Sequence, residues 1–197
     1  MPSTGDAESA ELLRRAREGS RDALGTLLER NARRLLALIR LRLGPSLRRE
    51  VESRDVLQST LVKALGRFAD FQGGGSSLAA WLARIAENEI HDLADYHGRE
   101  RRDAARRVSL DESPAVERLA ANVRSQTSRV ALGEELARLE GALETLSREQ
   151  REVIILRRLE ELSFGEIGER MGRSADACRM LFARAMTALT LTMEGPR

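Results

Sequence analysis

The chain has 197 residues, of which 42% are hydrophobic, 32% charged and only 3% aromatic, the balance of a globular rather than a disordered chain. Leu (30), Ala (26), Arg (32) and Glu (22) dominate and β-branched residues are sparse, which favours helices and excludes an all-β fold or a large parallel sheet. The formal net charge of +2 is close to neutral, so its distribution carries more information than its sum. Arg99, Arg101, Arg102, Arg106 and Arg107 fall within nine residues, whereas residues 134–152 carry six Glu against three Arg. No apolar run approaches the roughly 18 residues of a membrane span. The opening Met1-Pro2-Ser3-Thr4-Gly5-Asp6 lacks the basic start and apolar stretch of a secretory leader, so a cytoplasmic location is expected. Cys178 is the only cysteine, which leaves no intrachain disulfide and no cysteine-rich metal site.

In chain order, a short helix is expected from Ala7 to Glu18, broken at Gly19-Ser20, with Ser20 placed to cap the next. That second segment carries Leu24, Leu27, Leu28, Leu35, Leu38 and Ile39 on a 3.6-residue stripe and stops at Gly44-Pro45. A third helix fits Ser53 to Phe71, its apolar side made of Val56, Leu57, Leu61, Leu65 and Phe68. Gly73-Gly74-Gly75-Ser76-Ser77 forms a loop, and a fourth helix runs from Leu78 to about His97, burying Trp81, Leu82, Ile85 and Leu93. From Val108 to Ser128 the apolar stripe fails around Asp111-Glu112-Ser113-Pro114, the mark of a linker with some helical character. Periodicity resumes at Leu132, Leu136, Leu139 and Leu143, with breaks at Thr145-Leu146-Ser147, near Glu161-Leu162-Ser163 and at Gly172-Arg173-Ser174. The expected architecture is all-α: two helical domains joined by a linker, with domain one at 8–107, the linker at 108–130 and domain two at 131–193.

The last two helices carry a motif. Ser163 through Met171 opens with Ser163 as cap and Glu166 three residues on, a capping box. Gly172 falls where a tight inter-helix turn needs positive φ. Ser174 can cap a second helix whose buried stripe is Cys178, Leu181, Phe182, Ala185 and Leu189. Two short helices joined by a three- or four-residue turn with Gly match a helix-turn-helix, whose second helix lies in the major groove. An ordinary helical hairpin fits the same residues equally well, since the outer face is only weakly basic.

Read with the N-terminal half, the match becomes specific. Glu52-Ser-Arg-Asp-Val-Leu-Gln-Ser-Thr-Leu-Val-Lys-Ala-Leu resembles the acidic-x-x-Asp-[hydrophobic]2-Gln helix of sigma-70 family RNA polymerase sigma factors of the extracytoplasmic-function type. Ala80-Trp-Leu-Ala-Arg-Ile-Ala-Glu-Asn88 is similar to the Trp-Leu-x-x-Ile-x-x-Asn signature of that family. Leu146-Ser-Arg-Glu-Gln-Arg-Glu-Val-Ile-Ile-Leu-Arg and Ser163-Phe-x-Glu-Ile-Gly through Arg184-Ala185 resemble its C-terminal helices, in the family's order over roughly residues 10–190.

The resemblance implies a transcription initiation factor that binds the β and β′ subunits of bacterial core RNA polymerase and directs it to promoter DNA, with an anti-sigma factor as a further partner. It assigns core binding to Glu52, Asp55, Gln58, Ser59 and Lys63. Reading and melting of the −10 element fall to Asn88, His91, Asp92, Tyr96, His97, Arg99, Arg101, Arg102 and Arg106, where opened DNA calls for positive charge, stacking surfaces and a pocket for an extruded base. Reading of the −35 element falls to Arg173, Ser174, Ala175, Asp176, Arg179, Met180, Ala183 and Arg184. In the linker, Asp111, Glu112 and Glu117 suit either a nucleic-acid mimic or a plain tether. Asp95 stands where many members carry Arg, Ser59 where many carry Glu, and Ala177-Cys178 where Thr-Val is common. Trp81 and Cys178 are expected in the core.

No enzyme chemistry is expected. The glycine run at 73–77 lacks the Gly-Lys-Ser/Thr ending of a phosphate loop. His91 and His97, the only histidines, are six apart rather than at the i, i+4 spacing of a helical zinc pair, and no nucleophile elbow is present. No metal and no cofactor are expected. Two other readings remain open at this point: a stand-alone helix-turn-helix regulator that binds duplex DNA without polymerase, and a helical protein-interaction adaptor.

Overall fold

The computed structural model describes residues 4–44, 47–71, 73, 77–106 and 126–194. Among these residues the chain is helical throughout and has no strand. The helices are α1 (Thr4–Arg17), α2 (Arg21–Arg42), α3 (Ser53–Gly66), α4 (Leu78–Arg106), α5 (Gln126–Glu144), α6 (Arg148–Ile154), α7 (Phe164–Met171) and α8 (Ala175–Glu194). The linker residues Asp111, Glu112 and Glu117, together with Arg107, lie outside the described residues.

Helix α2 is the spine. Ser20 caps it by accepting from the Ala23 amide, and the expected stripe of Leu24, Leu27, Leu28, Leu35, Leu38 and Ile39 is buried. Against that stripe pack Ala16 of α1, Val56 and Ala64 of α3, and Leu82, Ala83, Ile85, Ala86 and Ile90 of α4. Each leucine so buried is worth about 1.5–3 kcal/mol, which holds α2, α3 and α4 against one another. Trp81 closes one end of this core in a cluster with Phe68 and Phe71, at centroid distances of 6.3 and 5.3 Å. Leu65 departs from expectation: it is 50% exposed, because the core positions of α3 are Val56, Thr60 and Ala64. Thr60 is tolerated there since its hydroxyl donates to the Val56 carbonyl at 2.6 Å.

Helix α3 ends at Gly66, short of the expected Phe71, and a 3-10 turn at Phe68–Asp70 follows. Helix α4 is longer than expected, running through Gly98 to Arg106. A single glycine costs a helix only about 1 kcal/mol, less than the flanking helix formers Glu100, Arg101, Arg102, Ala104 and Ala105 can supply over a whole turn or more. Helix α5 likewise starts at Gln126, ahead of the apolar stripe at Leu132.

The second unit centres on Leu143, Leu146, Val153, Ile154, Leu156, Ile167, Cys178, Ala185 and Leu189. Cys178 is fully buried in it, as expected. Ser147 and Gln150 form a capping box that starts α6. Between α6 and α7 the backbone adopts a π turn at Ile155–Leu159, followed by Glu161 at φ 59, a left-handed conformation uncommon for a residue with a Cβ. The extra residue of a π turn lets two neighbours face opposite ways. Ile155 enters the core of the first unit and Leu156 that of the second.

The turn between α7 and α8 depends on two glycines. Gly172 takes φ 66 as the left-handed cap of α7. Gly168 lies so close to the turn that an added Cβ would stand 2.5 Å from the Arg173 carbonyl oxygen. Gly168→Ala is expected to destabilise the chain by about 1–3 kcal/mol through that backbone clash. Gly165→Ala, whose Cβ would meet only the Ser163 hydroxyl at 3.8 Å, should leave stability equal or higher. Thermal melting followed by circular dichroism separates them, and equal midpoints would contradict the close approach.

Candidate nucleic-acid and polymerase interface

Three exposed helix faces carry the residues singled out from the sequence. On α3, Asp55, Gln58, Val62 and Leu65 recur at helical spacing on the outward side. Val62 and Leu65 are among the most exposed large apolar residues described. This strip is therefore polar at the start of the helix and apolar at its end. Glu52 caps α3 by position and sits at the rim of a cavity of about 350 Å³ between α2, α5 and the start of α3. Ser59 and Lys63 do not belong to the outward strip. The Ser59 hydroxyl donates to Glu89 of α4 at 2.7 Å, and the Lys63 ammonium is bonded to the same carboxylate and lies 3.8 Å from Asp92. Both residues bind α3 to α4.

On α4, Asn88, Asp92, Asp95 and Arg99 align along one exposed face, with His91 and Tyr96 at its edges. His91 donates from Nδ1 to the Glu87 carbonyl at 2.8 Å. His97 lies half-buried on the opposite side, in line with the buried Ala79, Ala83, Ala86 and Ile90, and meets Tyr96 ring to ring at 5.2 Å. The structure thus separates His97 from the face it was grouped with. Arg101, Arg102 and Arg106 extend the helix beyond Arg99; their side chains are not among those described.

On α7 and α8 the capping box at Ser163 and Glu166 is present in both directions, at 3.3 and 2.7 Å. Hydrogen bonds from the Ser163 hydroxyl and backbone hold the Glu166 carboxyl below its ordinary range. Ser174 caps α8 by accepting from the Ala177 amide at 3.2 Å. Asp176, Arg179, Met180, Ala183 and Arg184 are exposed along α8, with Ala175 half-buried. Arg179 is bonded to Asp176 and lies over the Phe164 ring at 5.4 Å. Arg173 in the turn reaches Glu149 at 2.6 Å.

An ionic cluster that no local sequence pattern announces joins the two units. Arg42, at the end of α2, bonds Glu152 of α6 at 2.7 and 2.9 Å and Glu160 at 2.9 Å. Glu160 is 1% exposed. Its other oxygen accepts from Arg170 of α7 at 2.7 Å, and Arg170 also grips Glu87 of α4 at 2.9 and 3.1 Å. Burial works against the charge of Arg42, but hydrogen bonds and charge from Glu152 and Glu160 outweigh it and raise its pKa above the ordinary arginine value. One buried donor is unmet: Arg42 Nε lies 3.4 Å from Glu87 without hydrogen-bond geometry, a cost of about 1–3 kcal/mol. Beside the cluster, Arg34 pairs with Glu161 and Arg40 with Glu140. No signal at sequence level could have found it, because its partners lie up to 118 residues apart.

Among the described residues no group of His, Cys, Asp and Glu could hold a metal ion, and no helix is long and apolar enough to cross a membrane. The faces define a two-unit helical protein with a helix-turn-helix at its C-terminal end. The profile of Sigma-70 region 2 matches residues 27–107, and that of Sigma-70 region 4 matches residues 136–189. The chain is 31% identical to the ECF RNA polymerase sigma factor BldN of Streptomyces coelicolor over 93% of its own length, and spans 66% of that protein. It is 30% identical to the RNA polymerase sigma factor NccH of Alcaligenes xylosoxydans xylosoxydans, covering 93% of both chains. The solved structure of CnrH in complex with the cytosolic domain of CnrY shares the fold, with a TM-score of 0.51 at 24% identity over 93% of this chain and 95% of that one. The chain belongs to the sigma-70 family of RNA polymerase sigma factors. Factors of this kind start transcription by binding core RNA polymerase and bringing it to promoters, and this chain is one of them.

The Glu89 contacts generate a pH prediction. Burial raises the Glu89 carboxyl, but the hydrogen bonds from Lys63 and Ser59 outweigh it and hold its pKa below the ordinary 4.5. A carboxyl lowered on folding contributes stability above its unfolded pKa and loses it as pH falls through the folded value. Glu89→Gln should therefore narrow the stability gap between pH 6 and the acid range below 4.5. Urea titrations at both pH values check it; an unchanged gap would place the Lys63–Glu89 contact outside the energetics.

Proposed function

We propose that residues 8–107 bind core polymerase and read and melt the −10 element, that 131–193 read the −35 element, and that 108–130 tether the two. The observation that carries this reading is the outward strip of α3. Asp55 and Gln58 stand exposed at the positions of the family's core-binding motif, and Val62 and Leu65 continue the same face with apolar surface. An acidic-to-apolar strip suits a helical partner that presents basic and apolar groups in the same order. The core-binding set is then Glu52, Asp55, Gln58, Val62 and Leu65, with Ser59 and Lys63 acting through α4.

The α4 face from Asn88 to Arg99 meets the −10 region, supported by Arg101, Arg102 and Arg106. Two carboxylates, Asp92 and Asp95, interrupt its positive charge, which favours hydrogen-bond reading of bases there over simple phosphate attraction. The exposed side of α8 enters the major groove with Asp176, Arg179, Met180, Ala183 and Arg184, and Arg173 and Ser174 approach the backbone. The chain performs no covalent chemistry of its own and works in the cytoplasm beside its polymerase. An anti-sigma factor is a further partner; CnrH, which shares the fold, is found in complex with a protein partner, the cytosolic domain of CnrY.

Asp55→Arg should weaken binding to sigma-free core polymerase by at least about tenfold, because a rim charge is reversed against a complementary surface, while helix content stays the same. Co-elution on a sizing column, titrated over core concentration, measures it. Equal binding by wild type and Asp55→Arg would remove the strip from the interface. Failure of both to join a competent core would move the stand-alone DNA regulator to first place.

A further inference from the structure

Arginines gather over two phenyl rings at the flank of the turn motif. The ring of Phe164, which starts α7, meets the ring of Phe182, on α8, edge to face at 5.8 Å. Arg157 and Arg179 stand over Phe164 at 5.1 and 5.4 Å, and Arg158 stands over Phe182 at 5.6 Å. Each is near enough for a ring face to hold a guanidinium, which requires a centroid distance within about 6 Å. Phe182 follows Arg179 by one turn on α8, so both lie on the same side of that helix. Arg157 and Arg158 come from the π turn ahead of α7 and belong to neither helix of the motif.

What each guanidinium does with its N–H groups separates them. Arg179 is bonded to Asp176, and Arg157 donates to the Leu162 carbonyl at 2.9 Å. Elsewhere in the unit Arg170 and Arg173 meet carboxylates, and Arg138 and Arg151 donate to backbone carbonyls. Arg158 is exposed and makes no hydrogen bond and no ion pair with any described residue. A ring face fixes a guanidinium in place but takes up none of its five donors. Arg158 therefore presents a held, unspent fork to solvent, the arrangement that suits the oxygen pair of a phosphate. Its position agrees. The first helix of a helix-turn-helix crosses the DNA backbone while the second lies in the groove. The ring pair spans those two helices, so a cation over it stands between the groove and the path of the backbone.

We propose that Arg158 is a ligand of a promoter phosphate beside the −35 element, and that Phe182 is the positioning residue that holds it there. The proposal rests on the functional reading above for the placement of α8 in the major groove. A phosphate carries no base identity. Arg158 therefore adds affinity at every promoter the chain serves, whereas the groove-facing Asp176, Arg179, Met180 and Ala183 choose among them. Phe182 has two separable roles. Its bulk packs against the core of the second unit, which leucine can do as well. Its ring face holds Arg158, which leucine cannot.

The test uses holoenzyme assembled from core polymerase and the full chain. The probe is a duplex fragment that carries the promoter of the strongest chain-dependent start site in transcription from genomic DNA of the source organism. Equilibrium binding is measured over a series of salt concentrations, with co-elution on core measured in parallel. Arg158→Gln should weaken promoter binding at least about threefold and lower the salt slope by about one, the signature of one lost phosphate contact. Arg158→Lys keeps the charge and should keep the slope. Arg138→Gln makes the same charge change on α5 and should alter neither quantity. Phe182→Leu should weaken binding in the otherwise wild-type chain and have little further effect beside Arg158→Gln, because the ring then has nothing to hold.

An unchanged slope in Arg158→Gln, with co-elution and helix content like wild type, overturns the phosphate contact. Weaker joining to core with the slope unchanged also overturns it and moves Arg158 to the polymerase interface. An equal cost of Phe182→Leu with and without Arg158→Gln overturns the positioning role of Phe182. A wild-type holoenzyme that yields no chain-dependent start site, or binds no promoter, overturns the functional reading and this assignment with it.

Discussion

A guanidinium taken out of water must be met by negative charge, and at the end of α2 Arg42 is met by two glutamates in hydrogen bonds and a third close by. Everything about how the two halves of this chain sit together follows from that requirement. Glu152 and Glu160 come from either side of the π turn, so the turn must face α2. Glu160, once buried, needs its second oxygen satisfied, and Arg170 supplies the bond and brings α7 with it. Arg170 in turn reaches Glu87 on α4. Removing one partner of such a buried pair costs about 3–5 kcal/mol, whereas the exposed pairs along α1 are worth a fraction of that. Apolar packing completes the seam, with Leu136 of α5 against Leu36 and Ala37 of α2.

Helix α2 thus serves two units at once. One side of it is the floor of the N-terminal core, and its last turns carry Leu41 into the C-terminal core and Arg42 into the ionic cluster. This explains why the candidate faces stay outside. The core claims the inward residues of α2, α3 and α4, and the seam claims Glu87 and Arg170. Among the faces left exposed are the α3 strip, the α4 face from Asn88 to Arg99 and the outer side of α8. Each is a rigid helical surface positioned by packing rather than by loops.

Much of this was legible in the sequence because it is local. The leucine stripe of α2, the caps Ser20, Ser163 and Ser174, and the positive φ of Gly172 each follow from residues within one or two turns. So did the family motifs on α3, α4 and α6 to α8. Where residues stand elsewhere than expected the cause is shared: propensity and period do not say which of two neighbouring helices a side chain will meet. Leu65 looked like core because it is apolar, yet Ala64 takes that position and Leu65 faces out. Ser59 and Lys63 have the spacing of the outward strip, but both are bonded to Glu89 on α4, Lys63 while still exposed. His97 is one residue from Tyr96 and on the other side of the helix. The cluster around Arg42 joins residues from four helices and the π turn, and no window of sequence contains it.

Every assignment above depends on this chain giving core polymerase a promoter preference. Its most direct test is transcription in vitro from fragmented genomic DNA of the source organism, with core polymerase alone and with core plus the purified chain, and sequencing of the transcript 5′ ends. A new set of start sites is expected that appears only with the chain present and shares two short upstream sequence blocks, one for each proposed DNA-reading face. Start sites indistinguishable from those of core alone would contradict it.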